Sequence, residues 1–114
     1  MVRYLNQLGK GTFKSVPFFV RSETMNKYSL HKQRAFIKNV GAVCGMFRKH
    51  KLHMTLRELS KKTKIPTPTL SSFELGRSSS LRMVYIYLVS CETDEQAHLF
   101  MQYIVEVCLL NRSL

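Results

Sequence analysis

Acidic residues are scarce in this chain of 114 residues, where seven Asp and Glu stand against 18 Lys and Arg and the net charge is +11. A metal site or a general acid/base pair needs carboxylates, and most of those present fall at expected helix starts. His50 and His53, three residues apart, therefore fit solvated or DNA-side histidines. The chain also lacks the P-loop pattern of nucleotide-binding proteins. We expect no catalytic residue, no metal and no cofactor.

Cysteines and long apolar runs are also few. Cys44, Cys91 and Cys108 are widely spaced and contain no C-x-x-C pair, which excludes a disulfide framework and a zinc ribbon. We expect three reduced thiols that act as small apolar side chains. No apolar run approaches the ~18 residues of a membrane-spanning helix, and the segment after Met1 lacks the zones of a signal peptide. These features predict a cytoplasmic protein without a membrane partner.

Positive charge is abundant in the first half of the chain. Residues 1–54 hold eleven Lys and Arg and one acid, residues 55–82 hold six and two, and residues 83–114 hold one and four. Such an excess attracts a polyanion, of which nucleic acid is the first candidate. The length and the apolar share of 45% suit one domain with a modest core. We expect a DNA-facing domain whose acidic C-terminal part does not contact phosphate.

Helical patterns begin after a first segment that has none. Residues 1–22 show no sustained helical period and predict a basic, irregular N-terminal arm. From about Ser22 to Leu52 apolar residues recur at spacings of three and four, which predicts helix, while Gly41 and Gly45 indicate a break between two helices. The apolar face consists of Phe36, Ile37, Val40, Val43, Cys44 and Phe47.

Residues 55–76 predict two short helices. The sequence TLRE at 55–58 is a capping box that starts the first helix, which must end shortly before Pro66. Thr67 is placed to cap the second helix, with Pro68 in its first position and a glycine at its end. The expected buried side chains are Leu56, Leu59, Leu70 and Phe73. Two short helices joined by a turn of this length form a helix-turn-helix.

The spacing of five residues in this segment matches a known family: Leu59, Ile65, Leu70, Glu74 and Gly76. Over Val40–Val89 the chain resembles the Cro/Xre-type phage-repressor helix-turn-helix. Two departures are that Lys64 stands where the turn usually has glycine, and that Pro66 and Pro68 bracket the start of the second helix. The resemblance implies an all-α, lambda-repressor-like fold of about five helices.

This resemblance also implies a DNA-reading surface. It places the N-terminal side chains of the second short helix in the major groove, and the candidate base contacts are Thr67, Pro68, Thr69, Ser71 and Ser72. These side chains are short and lack a bidentate fork, so we expect modest contact specificity supplemented by DNA shape. The alternative is that the hydroxyls form only a cap and a solvated face.

Phosphate contacts are expected from the amides at the start of the first short helix, at Leu56, because the helix dipole favours an anion there. The basic candidates are Lys49, Arg57, Lys61, Lys64, Arg77 and Arg82. The alternative for each is an ordinary solvated charge. Glu74 would repel phosphate unless it is paired, and the resemblance implies a structural ion pair with Arg48 or Lys49.

Two more helices are expected after residue 79. Ser80 can cap a helix from Leu81 to about Ser90, with a buried face of Leu81, Val84, Tyr85 and Leu88. A second capping box, TDEQ at 93–96, opens a last helix that reaches about Leu110. Apolar residues cover more than one face of this helix, which favours a homodimer through Leu99, Phe100, Tyr103, Ile104 and Val107. The alternative is a monomer whose N-terminal arm covers that surface.

Together these patterns predict a sequence-specific regulator of transcription that binds double-stranded DNA. The expected organisation is an arm (1–22), a helix-turn-helix domain (23–92) and a C-terminal helix for packing or dimerisation (93–114). A dimer on a palindromic operator would repress by occlusion, and the resemblance suggests a phage, plasmid or mobile-element origin. Two alternatives stay open: an antitoxin or other protein-interaction module whose helix-turn-helix autoregulates, and a nonspecific nucleic-acid-coating protein.

Overall fold

The computed structural model describes residues 28–113, which form five α-helices and contain no strand. In chain order the helices are α1 (Leu30–His50), α2 (Leu56–Thr63), α3 (Thr67–Glu74), α4 (Leu81–Val89) and α5 (Asp94–Ser113). The expected all-α fold with about five helices is confirmed. None of these helices is long and apolar enough to cross a membrane. The predicted arm and the first residues of the helix expected from Ser22 lie outside the described residues.

All five helices contribute to one hydrophobic core. Its buried side chains are Val40, Cys44, Phe47, Leu59, Ile65, Leu70, Phe73, Met83, Tyr87, Phe100 and Val107. The ring of Phe47 meets the rings of Phe100 and Tyr103 edge-on, with centroids 5.2 and 6.1 Å away. Such aromatic pairs contribute about 0.5–1.5 kcal/mol beyond the burial of their area. The last helix therefore packs against the first.

The first helix continues without a break through Gly41 and Gly45, where the sequence indicated one. A Cβ atom on Gly41 would lie 2.2 Å from the carbonyl oxygen of Phe73, and one on Gly45 would lie 2.8 Å from the Glu74 carboxylate. The glycines therefore let the end of α3 approach α1 closely. This packing outweighs the helix-weakening effect of glycine, which is about 1 kcal/mol relative to alanine.

The predicted capping box at the start of α2 is confirmed. The Glu58 amide donates to Thr55 Oγ1 at 3.1 Å, and the Thr55 amide donates to Glu58 Oε1 at 3.0 Å. The hydrogen bond that the Thr55 amide donates to the carboxylate is the largest cause that lowers the pKa of the Glu58 carboxyl, and the Thr55 side chain is the second. At α5 only half of a box forms: the Gln96 amide donates to Thr93 Oγ1, while Gln96 Oε1 accepts from the Glu92 amide.

The starts of α3 and α4 differ from the predictions. Pro66, not Thr67, is the N-cap residue of α3, so Pro68 falls in the first turn one position later than expected. Ser80 precedes α4 but makes no side-chain capping bond. The predicted buried face of α4 is half right: Val84 and Leu88 are half-buried against the core, whereas Leu81 and Tyr85 are 85% and 60% exposed. The buried residues of α4 are Met83 and Tyr87. Almost every residue of α4 is apolar, so the spacing of its apolar residues does not define which face is buried.

Candidate nucleic-acid interface

The turn between α2 and α3 comprises residues 64–66. Lys64 has φ 62° and ψ 26°, the left-handed conformation in which glycine is least strained. This conformation gives the physical reason why the Cro/Xre pattern has glycine at this position. Two bonds close the turn: the Lys64 amide donates to the Ser60 carbonyl at 2.8 Å, and Ser60 Oγ donates to the Ile65 carbonyl at 2.6 Å. The orientation of α3 relative to α2 is thereby fixed.

Glu74, at the C-terminal end of α3, is held by two neighbouring helices. Arg48 Nε and Nη2 donate to its two carboxylate oxygens at 2.7 and 2.9 Å, and the Tyr87 hydroxyl donates to Oε2 at 2.6 Å. A third Arg48 nitrogen donates to the Met54 carbonyl at 2.7 Å. The partner is therefore Arg48, whereas Lys49 is exposed to solvent. This network anchors α3 to α1 and α4.

The network changes the acidities of the groups around it. The hydrogen bond to Glu74 is the largest cause that raises the pKa of the Arg48 guanidinium. The pKa of the Tyr87 hydroxyl is raised as well, mainly by burial and to a smaller extent by its hydrogen bond to Glu74. Burial, with a smaller effect of the Glu74 charge, raises the pKa of the Cys44 thiol to about 12. Cys44 is therefore a neutral packing residue at ordinary pH, and Tyr87 is the network member that sequence reasoning missed.

The predicted base contacts occupy the sides of α3 that lie outside the core, together called its outward face. Leu70 and Phe73 enter the core, while Pro68 and Thr69 are exposed and Thr67, Ser71 and Ser72 are half-buried. Within residues 28–113, none of the four hydroxyl groups on this face has a hydrogen-bond partner. They are free to donate and accept, although the expected capping role of Thr67 is absent. Leu75, 55% exposed, extends this face and was not predicted.

The predicted phosphate-binding side chains surround α2 and α3. All six are exposed and take no part in the ion pairs of the described residues: Lys49, Arg57, Lys61, Lys64, Arg77 and Arg82. At the start of α2 the Glu58 amide is used by the capping box, whereas no described residue accepts from the amides of Leu56 and Arg57. A shallow depression lined by Lys49, His53 and Leu56 lies beside them.

Metal clusters and paired cysteines are absent from the described residues. Within residues 28–113, no three or more His, Cys, Asp and Glu side chains lie close enough together to hold a metal ion. The three cysteines are unpaired; Cys44 is buried, Cys91 is half-buried and Cys108 is exposed. Burial raises the pKa of Cys91, which disfavours its thiolate.

The residues of α5 that were expected at a dimer interface pack instead against the core of the same chain. Phe100 and Val107 are 0% and 9% exposed and belong to the core of the monomer, so they leave no surface for a second copy. Leu99, Tyr103 and Ile104 are half-buried and pack against the same core. Apolar residues surround much of α5, and contact with Phe47 selects the buried side. The exposed large apolar side chains of α5 are Met101, Val105, Leu109 and Leu110.

Comparisons of the chain with protein-family models, with curated proteins and with solved structures gave no match. The resemblance to the Cro/Xre-type repressors therefore depends on the residues of α2, the turn and α3. Any function assigned to this surface must come from the chemistry of those residues and their neighbours.

Proposed function

We propose that this chain is a sequence-specific, double-stranded DNA-binding regulator of transcription, in which α2, residues 64–66 and α3 act as a helix-turn-helix. The outward face of α3 carries the proposal. Its four hydroxyl groups have no partner within residues 28–113, and the far end of the same helix is fixed through Glu74. A rigid helix with free donors and acceptors, flanked by unpaired cations, suits insertion into the major groove.

The charges around α2 and α3 favour an approaching phosphate. The two carboxylates of this region are already engaged, since Glu58 completes the capping box and Glu74 is paired with Arg48. A DNA backbone would therefore meet cations and the free amides at the start of α2. Each phosphate neutralised by a protein cation should steepen the salt dependence of binding by about 0.9 in log–log slope.

The chemistry of α3 limits how it reads bases. Ser and Thr hydroxyls bond several base edges, and the Pro68 ring and the threonine methyls suit contact with the thymine methyl group. We expect modest discrimination from contacts, with a further part from DNA shape. The regulator would act in the cytoplasm and repress by occupying an operator, and the Cro/Xre resemblance favours a phage, plasmid or mobile-element origin.

We place a dimer contact on the exposed side of α5. Met101, Val105 and Leu109 follow one another at intervals of four residues, so they form one stripe, and each is at least 40% exposed. A two-fold dimer would bind palindromic half-sites about 34–36 Å apart or a multiple of that distance. This stripe replaces Phe100 and Val107 as the candidate contact.

A second candidate function is an antitoxin-like module that binds a different protein and autoregulates through α3. The observation that favours it is the exposed apolar surface of α4, where Leu81 is 85% exposed and Tyr85 is 60% exposed. Such surfaces mark interaction sites in many proteins. Co-purification of a stoichiometric partner would support this candidate, whereas a pure protein that shifts a promoter fragment alone would contradict it.

Selection of bound duplexes from a random pool tests the main proposal. Wild-type protein should enrich a defined motif, and a variant with Thr67→Ala, Ser71→Ala and Ser72→Ala should enrich a different or weaker one. A matched control with Ser78→Ala and Ser113→Ala, at exposed positions outside α3, should enrich the wild-type motif. An unchanged motif in the α3 variant would remove the recognition role of α3.

A further inference from the structure

One face of α1 carries cations beside the contact with α3. Arg34, Lys38, Gly41, Gly45 and Lys49 follow at intervals of three or four residues, so they share one side of the helix. The two glycines of this set are the points where the end of α3 meets α1. Cations therefore flank that meeting point in both directions along α1. The sequence pointed to Lys49 alone.

Lys38 is held against the loop that follows α3. A Cβ atom on Gly76 would lie 2.6 Å from the Lys38 Cα and 3.0 Å from its Cβ. Gly76 also has φ +78°, a conformation that side chains other than glycine rarely adopt. Both constraints require glycine at this position, and Arg77 is the residue that follows this close approach to Lys38.

The charges of Lys38 and Arg77 are not compensated locally. Both side chains are exposed, and neither joins an ion pair or a side-chain hydrogen bond within residues 28–113. The carboxylate nearest in sequence to Arg77, that of Glu74, is already bound by Arg48 and Tyr87. An anion bound by both side chains would supply the counter-charge that the described residues do not.

We propose that Lys38 and Arg77 form a second phosphate-binding site for the DNA backbone, separate from the one at Lys49 and the start of α2. This inference rests on the proposed function. Lys38 and Lys49 are eleven residues apart, which is about 16 Å along the helix axis at 1.5 Å per residue. That distance exceeds the ~12 Å width of the B-DNA major groove. The separation is therefore sufficient for the two sites to contact phosphates on opposite sides of a groove that holds α3.

Charge-removing variants test this site through the salt dependence of DNA binding. We would measure the affinity of the full chain for a 30-bp random-sequence duplex between 50 and 200 mM salt, for wild type, Lys38→Gln, Arg77→Gln, Arg57→Gln and Lys62→Gln. Lys62 is the matched control because it is an exposed cation of α2 whose Nζ is already engaged, donating to the Ser90 carbonyl at the end of α4 at 3.1 Å. Thermal melts would verify that each variant is folded.

The expected result is that Lys38→Gln and Arg77→Gln each lower the log–log slope by about 0.9, as Arg57→Gln does, while Lys62→Gln leaves it unchanged. If Arg57→Gln lowers the slope but Lys38→Gln and Arg77→Gln match the control, the second phosphate site is wrong and the proposed function stands. If wild type does not bind duplex DNA, or if all four variants behave alike, the proposed function itself fails.

Discussion

Replacement of Glu74 by glutamine should destabilise the protein strongly. The substitution keeps the shape of the side chain but leaves the Arg48 guanidinium, whose side chain is 4% exposed, without a counter-charge. Removal of one partner of a buried ion pair costs about 3–5 kcal/mol, out of roughly 5–15 kcal/mol for a whole domain. At about 4 °C per kcal/mol for a chain of this size, the melting temperature should fall by about 12–20 °C.

Urea unfolding followed by circular dichroism would give the change in free energy. Arg48→Met should cost a similar amount, and the double variant should cost less than the sum of the two, because no buried charge is left unpaired. Glu106→Gln, at an exposed position of α5, is the matched control and should change stability by less than about 0.5 kcal/mol. A Glu74→Gln loss no larger than the control, or strictly additive costs, would refute the reasoning.

Three further outcomes are expected. Gly41→Ala should lower the urea midpoint by the equivalent of about 1–3 kcal/mol, because the alanine Cβ would clash with the Phe73 carbonyl. Alanine favours helix more than glycine does, so a higher midpoint in the variant would contradict this packing. Stability should fall as pH rises above about 9, by up to about 1.4 kcal/mol per pH unit. The cause is the Cys44 thiol, whose pKa is 9.0 in the unfolded chain and about 12 in the folded protein, so that only the unfolded chain loses the proton between these values. Cys44→Ala should therefore reduce the loss of stability with rising pH. An unchanged loss would show that Cys44 is not its cause. For the proposed dimer, light scattering should give twice the chain mass for wild type and half of that value for Val105→Glu. An unchanged dimer in the variant would place the contact elsewhere, and a monomeric wild type would contradict the dimer.

Features set by short stretches of sequence could be predicted. The capping box at residues 55–58 involves groups three residues apart, and its two hydrogen bonds are present. The expected pairing of Glu74 came from the family pattern, which left Arg48 and Lys49 open. In the structure Arg48 is the partner, and its guanidinium also donates to the Met54 carbonyl. Local patterns and the family resemblance were sufficient for the start of α2 and the pairing of Glu74, whereas the start of α3 was predicted one residue too late.

Features that depend on contacts between distant residues could not be predicted. The glycine at position 41 looks like a helix breaker until the approach of Phe73 is known. Tyr87 is one apolar residue among many in α4, and only the position of the Glu74 carboxylate explains why its hydroxyl is buried there. In α5 apolar residues occupy several faces, so the choice of Phe100 for the core depended on the location of α1.

The most direct test of a DNA-reading role for α3 is the ratio of two affinities, one for a selected duplex and one for the same duplex with its sequence scrambled, at a single salt concentration. Wild type should favour the selected duplex by about 10³-fold or more, as specific DNA-binding proteins do. The variant with alanine at positions 67, 71 and 72 should lose most of that preference and keep its affinity for the scrambled duplex. A wild-type ratio below about 10, or an equal ratio in the variant, would contradict the account.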